Sequence, residues 1–348
     1  MKNRILDYVG PLKLLLILGV VLLHCNIAVG TWPYENYGLA FVDFVSGKLA
    51  LVCVPIFFVL SGYLYFYNIS NLTFSIYFNK LTRRVSTLLV PYLFWNAFCA
   101  LLLIGKVEFL GFNGLGIIDA DGVINIGRFV KGFWMIHQSD DMPFAFAFWF
   151  IRNLMCFVVI SPLFYWIGRR WMLTALVIAG SIILDESFWG SEYFVVGACL
   201  ALHGYDLKYL HLSGWRLGLS LIAYMASALA IFFELNTTLY ISYISLRYIL
   251  VFSGFVTFVN IALRMKSFDS TRLGSVLVGS TFFIYAFHQC FCRIVRDFWL
   301  AVIGDGEWYM ALMSYLMSFL TMVALSVGMW VLMRRFAPKV LAVITGSR

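Results

Sequence analysis

Long apolar segments recur along this 348-residue chain and restrict its fold more than any other feature. A helix needs about 20 apolar residues to cross a bilayer. Ten segments approach or exceed that length, at about 12–30, 42–67, 85–104, 144–167, 171–185, 191–204, 216–233, 243–263, 274–291 and 308–333. Only 12% of the residues are charged, against about 25% in soluble domains. The sequence therefore predicts an all-α, polytopic membrane bundle of about ten transmembrane helices.

The distribution of charge predicts how this bundle is oriented. With ten spans both termini share one side, and 17 of the 25 Lys and Arg residues fall there, whereas 14 of the 17 Asp and Glu residues fall on the other. Cytoplasmic loops carry an excess of basic residues. Both termini are therefore predicted to be cytoplasmic, and the net charge of +8 is interpreted as a topology signal and not as a nucleic-acid patch.

The chain is predicted to form a single membrane-embedded domain over residues 1–348, with one longer external loop at about 105–143. The first apolar run lacks a small-residue cleavage site, so it is interpreted as a retained span and not as a signal peptide. The seven cysteines and five histidines show no metal-ligand spacing. We therefore expect no metal site and interpret the cysteines as small buried side chains.

A few ionisable residues lie at membrane depth, where they are costly and are functional candidates. His24 follows Lys13 by eleven residues, about 16 Å along a helix, which places it in the outer half of the first span. His288 reaches a similar depth in the ninth span, and Arg152 and Arg247 enter the outer half from the other side. A shared polar cavity would accommodate all four. Simpler interpretations remain open: a histidine bonded to a neighbouring helix, or an arginine or lysine anchored at an interface.

Several motifs resemble those of the membrane acyltransferase-3 family. Lys13, ten residues and then His24 resembles the hallmark of the family's first helix. VPIFFVLSGYLYF (54–66) and RRVSTLLVPYLFW (83–95) are similar to its second-helix signature and to the basic stretch before its third helix. FWFIRNLMCFVVISPLF (148–164) and STFFIYAFHQ (280–289) are similar to its Trp-Phe span and its late Tyr-x-x-His segment. The chain resembles most the standalone ten-helix members that modify cell-surface glycans.

Two positions depart from the family pattern. Gly10 stands where the family often has Asp, three residues before the basic residue. The family's Arg-x-x-Arg pattern falls on Arg84 and Thr87, so its second arginine is missing. Lys80 and Arg83 repeat the spacing one helical turn earlier.

The resemblance implies O-acyl transfer from cytoplasmic acyl-CoA, with acetyl-CoA the expected donor, to a hydroxyl of a glycan or lipid-linked sugar outside an inner or plasma membrane. Cations at the cytoplasmic mouth would hold the CoA phosphates, and the available ones are Lys13, Lys80, Arg83 and Arg84. Membrane lipid is the other expected partner. Plain anchoring in the inner leaflet is the alternative role for each of these cations.

His24 is the candidate general base, because a neutral imidazole can take the proton of a weakly nucleophilic hydroxyl. Ser61, Gly62 and Tyr63 would line the donor channel, or Gly62 would only permit close helix packing. Three further residues are expected to orient His24, stabilise the thioester oxyanion or hold the acceptor. These are His288, Arg152 and Tyr285.

Other classes of membrane protein remain open from the sequence. A transporter or flippase of a lipid-linked or acylated cargo would also carry buried polar groups, although no paired broken helices are evident at corresponding positions of two halves. A glycan polymerase or ligase would need a larger external loop than 105–143. A non-catalytic sensor is the third alternative to an acyltransferase.

Overall fold

The computed structural model describes residues 7–28, 36–110, 124–135, 142–184, 187–234 and 243–346. These residues form helices joined by turns and short loops, as predicted for an all-α membrane protein. We number the helices α1 (Val9–His24), α2 (Tyr37–Phe66), α3 (Phe74–Arg84, the π-helical turn Val85–Leu89 and Val90–Leu110), α4 (Ile126–Lys131), α5 (Trp149–Val159), α6 (Ser161–Gly168), α7 (Trp171–Leu184), α8 (Ser191–Leu202), α9 (Trp215–Phe232), α10 (Tyr243–Arg264), α11 (Arg272–Gly279), α12 (Thr281–Ile303), α13 (Trp308–Phe336) and α14 (Pro338–Thr345).

Each of the ten predicted segments coincides with one helix or one bent pair of helices. By length and composition, five described helices can cross a membrane, namely α2, α3, α9, α10 and α13, and seven can if each bent pair counts as one span. The helices α1, α7 and α8 are apolar but shorter, as expected for the fifth and sixth segments but not for the first. The chain is thus a multi-pass membrane protein, and the count of ten and the cytoplasmic termini stay predictions.

Two spans are broken, which the sequence analysis did not anticipate. A 3₁₀ turn with α5 makes an angle of 74° with α6, and α11 makes an angle of 57° with α12. Pro162 is at the start of α6, where a proline lacks the N–H that would continue the preceding helix. The second break lies at Gly279-Ser280, a pair that often marks kinks. These are the fourth and ninth of the ten predicted segments, so each is the fourth segment of a half of five. The expectation that no paired broken helices occupy corresponding positions of two halves is wrong.

The first helix is shorter than the predicted span 12–30, since it ends at His24. Beyond it, the side-chain oxygen of Asn26 accepts a hydrogen bond of 2.8 Å from the backbone N–H of Ala28, an alternative to the helical pattern that favours chain termination. His24 therefore stands at the end of a helix and not within one. The external loop also begins later than predicted, because α3 continues to Leu110; positions 111–123 and 136–141 of that loop lie outside the described residues.

Two clusters of buried apolar side chains form the interior. The larger cluster joins α1, α2, α8 and α10, with Ile17 and Phe58 among its members. The smaller joins α3, α5, α12 and α14, and includes Trp95, Phe283 and Ile344. The seven cysteines are all free thiols. Partly buried side chains, Phe150 and Tyr285 among them, pack against both clusters and mark the boundary between them.

The crossing of α2 and α8 depends on two glycines. A Cβ atom on Gly62 would overlap the backbone carbonyl of Phe194, and one on Gly197 would overlap that of Val59. Small residues let membrane helices approach closely and gain van der Waals contact. The packing role considered for Gly62 is therefore present in the structure.

Replacing Gly62 by alanine is expected to destabilise the protein, by more than the roughly 1–3 kcal/mol typical of an overpacked core, because the overlapping atom belongs to the backbone. Thermal unfolding in detergent measures the effect. The matched control is Ser61→Ala on the same helix. The Ser61 side chain lines a cavity between helices, so this change should leave the unfolding temperature within about a degree or two of wild type. Equal unfolding temperatures for Gly62→Ala and wild type would contradict the packing role.

Candidate active site

A cavity of about 440 Å³ lies between the two apolar clusters. Its walls come from α1, α2, α3, the first bent pair and the second bent pair. Most of the lining is apolar and aromatic, with Phe57, Trp149, Phe150 and Phe282 among the larger side chains. The volume suits a small molecule or one arm of a larger ligand. The cavity is therefore the candidate active site.

One end of the cavity is cationic. Lys13 and Arg84 both line the cavity there, and Ser61 is also a lining residue. The guanidinium of Arg84 also lies over the Tyr65 ring, with its central carbon 5.8 Å from the ring centroid. A contact of this kind holds a guanidinium in place while leaving its N–H groups able to donate. On the predicted topology this is the cytoplasmic end.

The other end contains the two histidines predicted to share a depth. His24 lines the cavity, and its ring centroid is 5.1 Å from that of His288. The helices α1 and α12 thus bring the two histidines together, which a similar depth alone did not require. His288 is fully buried behind His24 and is not itself part of the lining.

The hydrogen bonding of His288 fixes its tautomer. Its Nδ1 lies 3.0 Å from the carbonyl oxygen of Ile284, and since a carbonyl only accepts, Nδ1 carries a proton. In the neutral ring Nε2 is then an acceptor, and it has no hydrogen-bond partner among the described residues. A buried acceptor without a partner is costly. The neighbouring His24 ring, 5.1 Å away between centroids, is placed to donate a hydrogen bond to it.

Tyr285 lines the cavity beside the histidines. Its hydroxyl donates a hydrogen bond of 2.6 Å to the carbonyl oxygen of Ala147, in the turn that precedes α5, and its ring centroid is 6.1 Å from that of His288. This bond links the two broken spans across the cavity. The contact fits a residue that positions the site. Tyr285 precedes His288 by three residues, so both lie on the same turn of α12.

Two of the predicted donor-binding cations lie outside the cavity lining. The ammonium of Lys80 donates a hydrogen bond of 2.6 Å to the carbonyl oxygen of Tyr65 and lies 4.8 Å from the centroid of that residue's ring. Arg83 is exposed and does not line the cavity. Of the four cations, the structure thus places Lys13 and Arg84 at the cavity. Lys80 lies behind Tyr65, which is itself a lining residue.

The predicted Ser61-Gly62-Tyr63 triplet is divided between two faces of α2. Ser61 faces the cavity, whereas Gly62 packs against α8. Tyr63 is buried and lines a different depression together with Asp206. Successive residues of a helix point about 100° apart, so three consecutive side chains cannot share one wall.

Arg152 is buried, with 4% of its surface exposed, but it does not line the cavity. Its guanidinium donates a hydrogen bond of 2.7 Å to the carbonyl oxygen of Trp134, and it lies 5.5 Å from the Trp134 ring and 5.7 Å from the Trp189 ring. These contacts tie α5 to the segment after α4. Arg247 does not line the cavity either. Of the four polar groups expected to share one cavity, only His24 lines it, with His288 next to it, and the expectation is wrong for the two arginines.

The described residues include no group of three or more His, Cys, Asp or Glu side chains placed to hold a metal ion. What the sequence reasoning did miss is the aromatic wall and Thr345, which also lines the cavity. The run FAFAFWF at 144–150 was visible in the sequence but carries no signal that distinguishes a cavity wall from lipid-facing surface.

Comparison with known proteins gives the class of protein to which this site belongs. A family model described as an acyltransferase domain (Acyl_transf_3) matches residues 7–331. The chain therefore belongs to this membrane acyltransferase family, as the motifs predicted.

Among characterised proteins, the chain is similar to the succinoglycan biosynthesis protein ExoH of Rhizobium meliloti (strain 1021). The two are 26% identical over 373 residues, which covers 98% of this chain and 92% of that protein. No solved structure matches the chain.

Proposed function

We propose that this acyltransferase moves a short acyl group, acetyl first among the candidates, from cytoplasmic acyl-CoA to a hydroxyl of an extracytoplasmic polysaccharide or its lipid-linked precursor. The observation that carries the proposal is the single cavity that has Lys13 and Arg84 at one end and His24 at the other. The similarity to a succinoglycan biosynthesis protein supports a polysaccharide as the acceptor. The enzyme would act in the inner or plasma membrane.

The cations hold the charged end of the donor. CoA carries several phosphate charges that cannot enter lipid, and a guanidinium can bind a phosphate through two parallel hydrogen bonds. Lys13 adds a second positive charge from α1. With the phosphates held there, the separation of about 16 Å along α1 leaves room for the thioester arm to extend towards His24.

His24 takes the proton from the acceptor hydroxyl as its oxygen attacks the thioester carbonyl. The carbon–sulfur bond then breaks, the acyl group stays on the acceptor oxygen, and the thiolate of CoA leaves and takes up a proton. The acceptor atom of His288 is available to His24 at this step. Holding both reactants in one apolar cavity lowers the entropic cost of the reaction.

The experiment that tests the proposal follows the release of free CoA from acetyl-CoA by the purified protein in nanodiscs, with and without polysaccharide acceptor. We expect slow release without acceptor, faster release with it, and a base-labile ester on the glycan. A protein that binds none of acetyl-, propionyl- or succinyl-CoA would overturn the proposal.

A transporter of a lipid-linked or acylated cargo is the second candidate function. The two bent pairs at the fourth and ninth segments favour it, because broken helices at corresponding positions often flank a transport site. The family match favours the enzyme. Release of free CoA separates the two, since a transporter of a lipid-linked or acylated cargo does not cleave a thioester.

A further inference from the structure

The last described helix contributes to the cavity. Thr345, the final residue of α14, is one of the lining residues and has only 2% of its surface exposed. The family model ends at residue 331, so α14 lies beyond the matched segment. The cavity of this chain is therefore bounded in part by a helix that the family assignment does not include.

Specific contacts hold α14 in this position. The indole nitrogen of Trp95 on α3 donates a hydrogen bond of 2.9 Å to the carbonyl oxygen of Ile344. Leu341 and Ile344 are buried in the smaller apolar cluster. Gly346 adopts a positive φ of 67°, and a Cβ there would lie 2.7 Å from the carbonyl oxygen of Thr87. This glycine is required both by its backbone conformation and by its close approach to α3.

These contacts place Thr345 at the cationic end of the cavity. Thr87, against which Gly346 packs, is three residues after Arg84, within one helical turn. Gly10 and Lys13 of α1 line the same cavity. The helix thus covers the end at which the donor's charged portion would be held, and not the histidine end.

We propose that α14 forms the closing wall of the donor entrance and that Thr345 contacts the amide-containing arm of the acyl-CoA, an inference that rests on the function proposed above. The hydroxyl of Thr345 donates a hydrogen bond of 2.7 Å to the carbonyl oxygen of Leu341. Its oxygen lone pair is left to accept, which suits the amide N–H groups of the arm. The helix sets how wide the entrance is and so how well the donor is held.

Cysteine labelling tests this placement without depending on turnover. In Thr345→Cys, a small methanethiosulfonate reagent is expected to modify the new thiol, and acetyl-CoA at about ten times its Kd should slow the reaction by about tenfold, since only unoccupied protein reacts. The matched control is Val343→Cys on the same helix, which is 54% exposed and should label equally with and without donor. Wild type gives the background of the native cysteines.

A bulky substitution provides the second measurement. Thr345→Trp is expected to raise KM for acetyl-CoA by about tenfold or more, with a smaller change in kcat, because the indole would fill the entrance. Val343→Trp should keep the wild-type KM. A merely structural role for α14 would lower the unfolding temperature without donor protection in the labelling experiment.

The two levels of the proposal fail differently. If wild type turns over acetyl-CoA but the thiol at position 345 is unlabelled, or is labelled without protection, the role of α14 is overturned and the acyltransferase proposal stands. If wild type neither binds nor turns over any acyl-CoA tested, the proposed function itself fails. Protection at position 345 together with a raised KM for Thr345→Trp supports both.

Discussion

Replacing His24 by glutamine is expected to lower kcat for acyl transfer by about 10²–10⁴-fold, the usual contribution of a general base. Glutamine keeps the size and a polar end but cannot take a proton. Binding of acyl-CoA should change little, because the cations that hold it are about 16 Å away along α1. Release of CoA in the presence of acceptor measures kcat, and calorimetric titration with acetyl-CoA measures binding.

Two other histidines serve as comparisons for this result. His203 is exposed at the end of α8, and His203→Gln should retain wild-type turnover. His288→Leu removes an acceptor whose ring centroid lies 5.1 Å from that of His24. A hydrogen bond to a charged group is worth about 1.5–3 kcal/mol, so this variant is expected to lose about 10–100-fold in kcat, less than His24→Gln. Turnover by His24→Gln within a few-fold of wild type would show that another group is the base.

Depth along the helices was predictable from the sequence. Each helical residue advances by about 1.5 Å, so the number of residues from one end of a span to His24 or His288 gives its height without any knowledge of the neighbours. That is why the sequence predicted a similar depth for these two residues, although it did not require their helices to be adjacent. The same arithmetic separated Lys13 from His24 and predicted a site with two chemically different ends.

The directions in which side chains point were not predictable in this way. Whether Ser61 or Tyr63 faces the cavity depends on which helices pack on each side of α2, and Gly62 settles this by its close approach to α8. Arg152 was expected to face the cavity, but its guanidinium donates to the carbonyl oxygen of Trp134, in another segment of the chain. Such tertiary information is not contained in apolar periodicity or in charge counts.

The position of the helix α14, which brings Thr345 to the cavity, was also not predictable from the sequence. α14 contains no ionisable group besides Lys339 and no motif that marks a binding site. Its place beside the cavity follows from Pro338, which starts a new helix after α13, and from packing against Trp95. A residue of ordinary chemistry becomes part of a site through the fold alone.

The second large effect is expected at the cationic end, where two adjacent arginines form a matched pair. Arg84 lines the cavity, whereas Arg83 is exposed outside it. Replacing Arg84 by alanine is expected to raise KM for acetyl-CoA by about 10–100-fold, the worth of a charge-assisted hydrogen bond to phosphate. Arg83→Ala removes the same charge from the same helix and should raise KM by less than about threefold, as expected of a screened surface charge.

This pair distinguishes donor binding from membrane anchoring. If both arginines act only as inner-leaflet anchors, the two variants should differ little, and any loss should appear in the amount of folded protein and not in KM. If Arg84 binds phosphate, the effect should be large with acetyl-CoA and small with acetyl-pantetheine, which lacks the nucleotide phosphates. Initial rates measured with both donors, for wild type and both variants, give the comparison. Equal KM values for Arg84→Ala and Arg83→Ala with acetyl-CoA would remove Arg84 from the donor site and leave Lys13 as the cation to test at that end of the cavity.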